Sequence, residues 1–392
     1  MRRSAQLVIS ATVFVDLLGF TLILPALPFY ASGLGATGVW FGALMSAYSV
    51  AQLVAAPVLG RLSDRYGRRP LVLLALAGSA VSMTFTGLST SLAGLLACRL
   101  LAGACGGSIS VAQAYLADAV PAGRRTGAMA QLGAAIGLAF VIGPALGGVL
   151  APLGFAACAY AAAGLAAANL VAALVWLPEP DRRPAAEPHE AAAERRGSAA
   201  GVTGRPVALL AGSGFLAMAA FVGMETTLAF LGRDRYGWDA TAIGLALAAA
   251  GLAMALVQAG LVGWLARRWG DARVAAAGAV TMAACMAAVA VSVTWWQCLA
   301  AVCLLAAGHG LLTPTVSSLL AAAGPPEQRG ARLGTGQSAG AAARIAGPAA
   351  AGLLFDAGAA LPYLAGAAVA ALAAVAVLAV PTLEHAGGEE RA

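Results

Sequence analysis

PAGRRTGAMAQLGAAIGLAFVIGPALGG, residues 121–148, is answered 204 positions later by PPEQRGARLGTGQSAGAAARIAGPAAAG, residues 325–352. Pro121, Arg125, Gly143, Pro144 and Gly148 return as Pro325, Arg329, Gly347, Pro348 and Gly352. A separate pair agrees: Gly60, Leu62, Arg65 and Gly67 return as Gly263, Leu265, Arg268 and Gly270, 203 positions on. Two stretches sharing nearly one offset mean that the chain is built of two related halves. Both repeats sit in or beside long apolar runs, so the repeating unit is a set of helices.

The solvent around those helices follows from composition. Of 392 residues, 61% are hydrophobic and 10% charged, against roughly half and about a quarter in soluble domains. A soluble fold cannot hide so much apolar surface, and runs long enough to cross a hydrocarbon core recur throughout. The spans fall at 6–31, 38–60, 70–88, 91–118, 125–150 and 155–177, then 206–231, 239–265, 273–293, 295–321, 329–355 and 359–381. The first is too long for a signal peptide and is followed at once by another, so it is expected to stay attached. The expected fold is all-α and polytopic, with twelve transmembrane helices in two six-helix bundles, 1–177 and 206–392. Residues 178–205, rich in Pro, Ala, Glu and Arg, read as a cytoplasmic linker. Equal numbers of spans per half make the repeats parallel, with a substrate site expected between the halves near the midplane.

Every positive residue is arginine. Apart from Arg99 and Arg344 deep in spans, and Arg233 and Arg235, all of them fall on one side of the membrane. The positive-inside rule then places both termini in the cytoplasm, in a cytoplasmic (inner) membrane. The net charge of +6 is thereby a mark of topology, and no nucleic-acid partner is expected. Cys98, Cys105, Cys158, Cys285, Cys298 and Cys303 all lie in spans without metal-ligand spacing, and read as small apolar packing residues. GQSAG, residues 336–340, matches the nucleophile-elbow spacing but lies in an apolar helix rather than a strand-to-helix turn. No phosphate loop, dinucleotide fingerprint or zinc-protease motif is present. Neither an enzyme nor an ATP-driven pump is indicated; no cofactor is expected, and an ion gradient must supply the energy.

GRLSDRYGRR, residues 60–69, resembles the signature between helices 2 and 3 of the major facilitator superfamily. Glycines there allow a tight turn, and charges can form a cluster that one conformation keeps and another breaks. The resemblance implies that Asp64 faces the start of helix 11 and that Arg68 pairs with Asp118, with Arg65 and Arg69 completing a gating cluster. LLACRLLAGACGG, residues 95–107, is similar to the family's helix 4 motif around Arg99. GLAFVIGPALGG, residues 137–148, resembles the antiporter motif of helix 5, with Gly137, Gly143, Pro144, Gly147 and Gly148. FVDLLGFTLILPALPFY, residues 14–30, resembles helix 1 of drug:proton antiporters, and tetracycline-type exporters look nearest.

An ionisable side chain at the bilayer centre costs about 2.5–3.5 kcal/mol on an insertion scale, so each needs a reason. Asp16, Arg99, Glu225 and Arg344 lie well inside spans, while Asp118 and Asp356 lie near span ends. Apolar surroundings favour the neutral carboxyl and a neighbouring guanidinium favours the charged one, so such a pair can exchange a proton as a cavity changes sides. The resemblance assigns this role to Asp16, with Arg99 as its modulator; a fixed salt bridge is the alternative. Glu225 reads as a second protonation site or an anchor for a cation. Arg344 reads as a substrate contact or a bridge to a helix carbonyl. His309, between two glycines, reads as a packed, hydrogen-bonded histidine. Tyr30, Gln52, Gln113 and Gln337 join Glu225 and Arg344 as cavity candidates, with helix–helix hydrogen bonding as the alternative. At the repeat offsets, Asp64, Arg99 and Asp118 map to Arg267, Cys303 and Ala322, so proton and gating chemistry is expected in the first half.

The expected function is proton-coupled export of small amphipathic drugs or metabolites by a monomer, with protons, the bilayer and the small molecule as partners. Proton symport or facilitated uptake is one alternative, which the helix 5 motif opposes. A non-transporting membrane receptor is the other.

Overall fold

The structure, a computed structural model, describes residues 2–106, 108–120, 125–179, 204–325 and 328–380; certain side chains within them, including those of Asp64 and Asp118, lie outside that description. Every regular element among the described residues is helical. The helices are α1 (Arg2–Leu22), α2 (Leu27–Gly33), α3 (Gly38–Tyr66), α4 (Arg68–Leu88), α5 (Leu92–Cys105), α6 (Ser108–Ala119), α7 (Arg125–Leu150) and α8 (Phe155–Trp176). They continue as α9 (Arg205–Tyr236), α10 (Ala240–Leu256), α11 (Val262–Trp269), α12 (Asp271–Val291), α13 (Trp295–Ala322), α14 (Arg329–Ala357) and α15 (Leu361–Leu378).

Ten helical segments among the described residues are long and apolar enough to cross a membrane. The other two expected spans are present as the pair α5 and α6, and as α14, whose arginines and Asp356 make it more polar. Large apolar side chains are exposed along these helices, among them Val54, Val149, Val175 and Leu372. In water such a surface would aggregate; in lipid it is the solvated face. Exposed Trp40, Trp176, Trp269, Trp295 and Trp296 sit near helix ends, where indole rings suit the headgroup region. The protein is a multi-pass membrane protein of the all-α class.

Three spans expected to be continuous are interrupted. Span 1 divides between α1 and α2 around Pro25 and Pro28, which bring no amide hydrogen to a helical ladder. Span 4 divides at Gly106, and its freed carbonyl is taken by Gln52 Nε2 at 2.7 Å, as a broken helix in lipid requires. Span 8 holds a π-helical turn at Val257–Leu261 between α10 and α11.

Backbone contacts divide the chain into two compact units. One comprises Met1–Pro184 with Thr226–Gly251 and Ala351–Asp356; the other comprises Ala185–Glu225, Leu252–Ala350 and Ala357–Ala392. In the first, α1 packs on α7, α3 on α5 and α4 on α8; in the second, α12 packs on α13 and α15. The first unit's core gathers Ile9, Leu76, Tyr115, Leu116 and Leu132, with a further cluster around Leu27, Leu44 and Phe230. The second unit's core centres on Leu210, Met282, Leu312 and Val377.

The repeat is visible in the packing. Gly143 of α7 lies against Thr21 and Leu18 of α1, and its equivalent Gly347 lies against Ala219 of α9, where a Cβ would come within 2.7 Å of the Ala219 carbonyl oxygen. Gly148 meets Thr241 and Gly244 at the start of α10, while its equivalent Gly352 meets Gly38 and Gly42 at the start of α3. Gly67 and Gly270, also equivalents, both adopt positive φ, 113° and 79°, at the turns into α4 and α12. Only glycine takes that conformation cheaply.

Candidate functional site

Asp16 lies on α1 at the wall of a small cavity of about 20 Å³ within the first unit, together with Phe20, Tyr48, Ser79, Ala102 and Gly106. That is room for about one water molecule. Phe20, one turn along α1 from Asp16, packs against Tyr48 with ring centroids 4.6 Å apart and the planes tilted by 33°. Its other neighbour is Arg99 of α5, whose Cζ lies 5.5 Å from the Phe20 centroid. Arg99 is 4% exposed, and its Nε and Nη2 have no hydrogen-bond partner among the described residues. The Phe20 face supplies cation–π attraction, yet unmatched N–H groups on a buried guanidinium carry a desolvation cost. The arrangement thus places Phe20 both at the wall of the cavity that Asp16 lines and beneath the incompletely bonded Arg99 guanidinium.

Gly103 lets α5 approach α3 at this place, because a Cβ there would run into the Tyr48 carbonyl and the Ala51 side chain. Ser82 Oγ donates to the Cys98 carbonyl at 2.9 Å and ties α4 to α5. On the opposite side of α1, Thr21 Oγ1 bridges the carbonyls of Leu17, at 2.8 Å, and Ala139 of α7, at 3.1 Å. Asn169 Nδ2 of α8 donates to the Thr12 carbonyl at 2.8 Å. α1, which carries Asp16, is therefore pinned to α7 and α8.

At the turn between α3 and α4, Arg68 donates from Nη1 to Ser63 Oγ at 3.0 Å, and Arg69 from Nη2 to the Leu174 carbonyl at 2.6 Å. Arg65 lies over the Tyr66 ring. The expected contacts of the Asp64 and Asp118 side chains lie outside the described residues. What holds this turn is a residue that the sequence places in the linker. Glu179 accepts from the backbone amides of Arg68, at 2.8 Å, and Arg69, at 3.0 Å. A carboxylate there satisfies two of the four amides that a helix start leaves open and suits the helix dipole. The adjoining Pro178 carbonyl accepts from Tyr115 at 2.7 Å.

Of the helix 5 motif, Gly143 and Gly147 face α1 so closely that a Cβ would meet Thr21 and the Leu22 carbonyl, and Gly148 faces α10. Pro144 lies inside α7 with its carbonyl against Gly244. Gly137 has open space where a Cβ would stand.

The second unit holds a larger cavity, about 100 Å³, between α9, α13 and α14. Gln337 and Arg344 line it, with Met218, His309, Thr313 and Ser317. Arg344 is the single charged side chain in that lining. His309 stacks on Phe221 with centroids 4.4 Å apart, and its Nε2 lies 3.3 Å from Thr313 Oγ1. Thr313 in turn donates to the His309 carbonyl at 3.0 Å, so the ring is packed and engaged at Nε2, while its buried Nδ1 has no hydrogen-bond partner among the described residues. Glu225 is half-buried on α9. Tyr30 is engaged in packing: it stacks on Phe155 at 4.2 Å and donates to the Ser89 carbonyl at 2.6 Å. Gln52 serves the break at Gly106, and Gln113 is exposed on α6.

One further cation takes a structural role that its position in the sequence did not suggest. Arg332, 1% exposed, donates from Nε to the Leu320 carbonyl at 2.9 Å, and from Nη1 to Pro325 at 3.0 Å. Its Nη2 donates to Ala321 at 2.8 Å and Gly324 at 3.0 Å. These are the carbonyls at and just beyond the end of α13, where a helix leaves its acceptors open and favours a cation. Its place in the repeat is Ala128, so the first half has no counterpart.

The family model for the Major Facilitator Superfamily matches residues 9–270 and 210–392. The class G tetracycline resistance protein of Vibrio anguillarum is 32% identical over 366 residues, which covers 88% of this chain and 89% of that protein. Human major facilitator superfamily domain-containing protein 10 is also 32% identical, over 414 residues, covering 90% of this chain and 88% of the relative. Among solved structures, the crystal structure of the human organic anion transporter MFSD10 (TETRAN) matches with a TM-score of 0.69 and 28% identity. That match covers 96% of this chain and 99% of the other.

Proposed function

Because the chain belongs to the Major Facilitator Superfamily, we propose that it is a proton-coupled exporter of small amphipathic molecules, tetracycline-like drugs among them, working by alternating access. Support for the substrate class comes from the similarity to tetracycline resistance proteins along most of the chain. What supports the proton coupling is that Phe20 is shared by both charges: it lines the cavity with Asp16 and lies under the Arg99 guanidinium. An acid that lines a cavity can load and release a proton. A buried guanidinium with unmatched N–H groups favours the charged carboxylate whenever the two approach. Glu225 is proposed as a second protonation site, and the α9–α13–α14 cavity, with Gln337 and Arg344, as part of the substrate path. No cofactor takes part, and the proton gradient drives the cycle.

The arginine pattern supports a cytoplasmic membrane location with both termini inside. In that orientation Gly38, Gly148, Thr241 and Gly352 all lie toward the outer face, so the contacts among them in the first unit form an outer gate. Everted vesicles from cells with and without the protein test the function. Adding substrate to energised vesicles should bring it inward and release protons in step. Substrate accumulation that persists after the proton gradient is collapsed would refute the coupling.

A further inference from the structure

α3 and α10 begin at equivalent places in the two halves, yet their first amides are satisfied differently. At α10, Asp239 caps the helix from its own chain segment, accepting from the Ala242 amide at 2.8 Å. At α3, the local residue Thr37 reaches only the Trp40 amide, at 3.4 Å. The amides of Gly38 and Val39 are taken by Asp356, from the last turn of α14: Gly38 donates to Oδ1 at 2.6 Å and Val39 to Oδ2 at 2.9 Å. The carboxylate is exposed, so both it and the amides can return to water if the helices part. Directly beneath it, Gly352 and Gly38 bring the two backbones into contact. The symmetry-related crossing of α7 on α10 has no such tie: Thr241 Oγ1 donates to the Gly148 carbonyl at 3.0 Å, and the position equivalent to Asp356 is Pro152.

We propose that Asp356 is the latch of the outer gate, a first-half helix start capped in trans by a second-half carboxylate, so that opening the gate is the same event as uncapping α3. This rests on the reading of the chain as an alternating-access transporter with Gly38 on the outer side. A helix start capped by a carboxylate gains from the hydrogen bonds and from the dipole. Because that gain exists only while α14 touches α3, it sets the closed-to-open ratio of the gate and leaves the stability of either helix nearly unchanged. An asparagine offers one acceptor but turns its NH₂ toward the second amide, and an alanine offers nothing.

The test measures the distance between spin labels at Thr90→Cys and Arg233→Cys, two exposed outer positions on opposite halves of the sequence, after replacing the native cysteines with alanine. Purified full-length protein is used without substrate or proton gradient. Asp356→Ala should raise the ratio of long-distance to short-distance populations about tenfold. Asp356→Asn should give a smaller rise, and Asp356→Glu should stay nearest to the parent. Asp239→Asn, which weakens a cap made within one segment, should leave the ratio within about twofold. The latch is overturned if Asp356→Ala leaves the ratio within twofold, or if Asp239→Asn shifts it equally. Since the readout needs no transport, a chain that fails to export can still show the latch. Conversely, a chain that exports without this shift refutes the latch alone.

Discussion

Replacing Arg332 with methionine keeps the length and apolar stem of the side chain but removes every donor. Four carbonyls at the end of α13 lose their partner, in a position 1% exposed. Each hydrogen bond from a charged donor contributes about 1.5–3 kcal/mol against an unmet acceptor, but the loop carbonyls of Gly324 and Pro325 can recover water. Two unrecovered acceptors at Leu320 and Ala321 give a loss of roughly 3 kcal/mol or more. On the scale of a unit of 150–250 residues, 3 kcal/mol lowers the melting temperature by roughly 6–12 °C. Arg332→Lys keeps the charge but reaches fewer carbonyls, having no planar fork, and should recover about half of the loss. Tryptophan-fluorescence melting of detergent-purified protein measures this. A methionine variant that melts within about 2 °C of the parent would show that these four bonds are not what holds the α13–α14 connection.

Gly147→Ala should sharply reduce folded protein, by several kcal/mol, because a Cβ meets the Leu22 backbone carbonyl, whereas Gly137→Ala should be neutral or stabilise by up to about 1 kcal/mol; size-exclusion yield and melting separate the two. Gln52→Leu should leave the Gly106 carbonyl unmet and destabilise by about 1–3 kcal/mol, while Tyr30→Phe, which loses one hydrogen bond but keeps its stacking, should cost about 1 kcal/mol. Glu179→Gln should raise hydrogen exchange at the Arg68 and Arg69 amides several-fold, as a weakened helix cap does; unchanged exchange there would mean that Glu179 does not hold the turn.

The sequence repeat was legible because its glycines answer to backbone contacts that both halves must make. Gly143 and Gly347, and Gly148 and Gly352, meet equivalent helices, and Gly67 and Gly270 make equivalent turns. The spans were legible from apolar length, but their interruptions were not. Nothing in the apolar run from 91 to 118 signals that Gln52, far away in the chain, will donate to the open carbonyl at Gly106. The roles of Glu179, Arg332 and Asp356 escaped notice for the same reason. Each bonds backbone amides or carbonyls at a helix end, and a backbone partner leaves no side-chain pattern to read. Sequence picked out Asp16 and Arg99 as charges that needed a reason inside a span. It did not show that Phe20 lies against both Tyr48 and Arg99 at the Asp16 cavity, since one aromatic residue among many apolar ones carries no distinguishing mark.

Asp16→Asn in sealed proteoliposomes tests the proton assignment most directly. The substitution fixes a neutral side chain of the same size at the cavity wall. Substrate should still equilibrate and exchange across the membrane, because binding and gate motion do not need the charge, but an imposed proton gradient should no longer drive accumulation. If the asparagine variant still concentrates substrate against its gradient at the rate of the parent, Asp16 is not the coupling carboxylate.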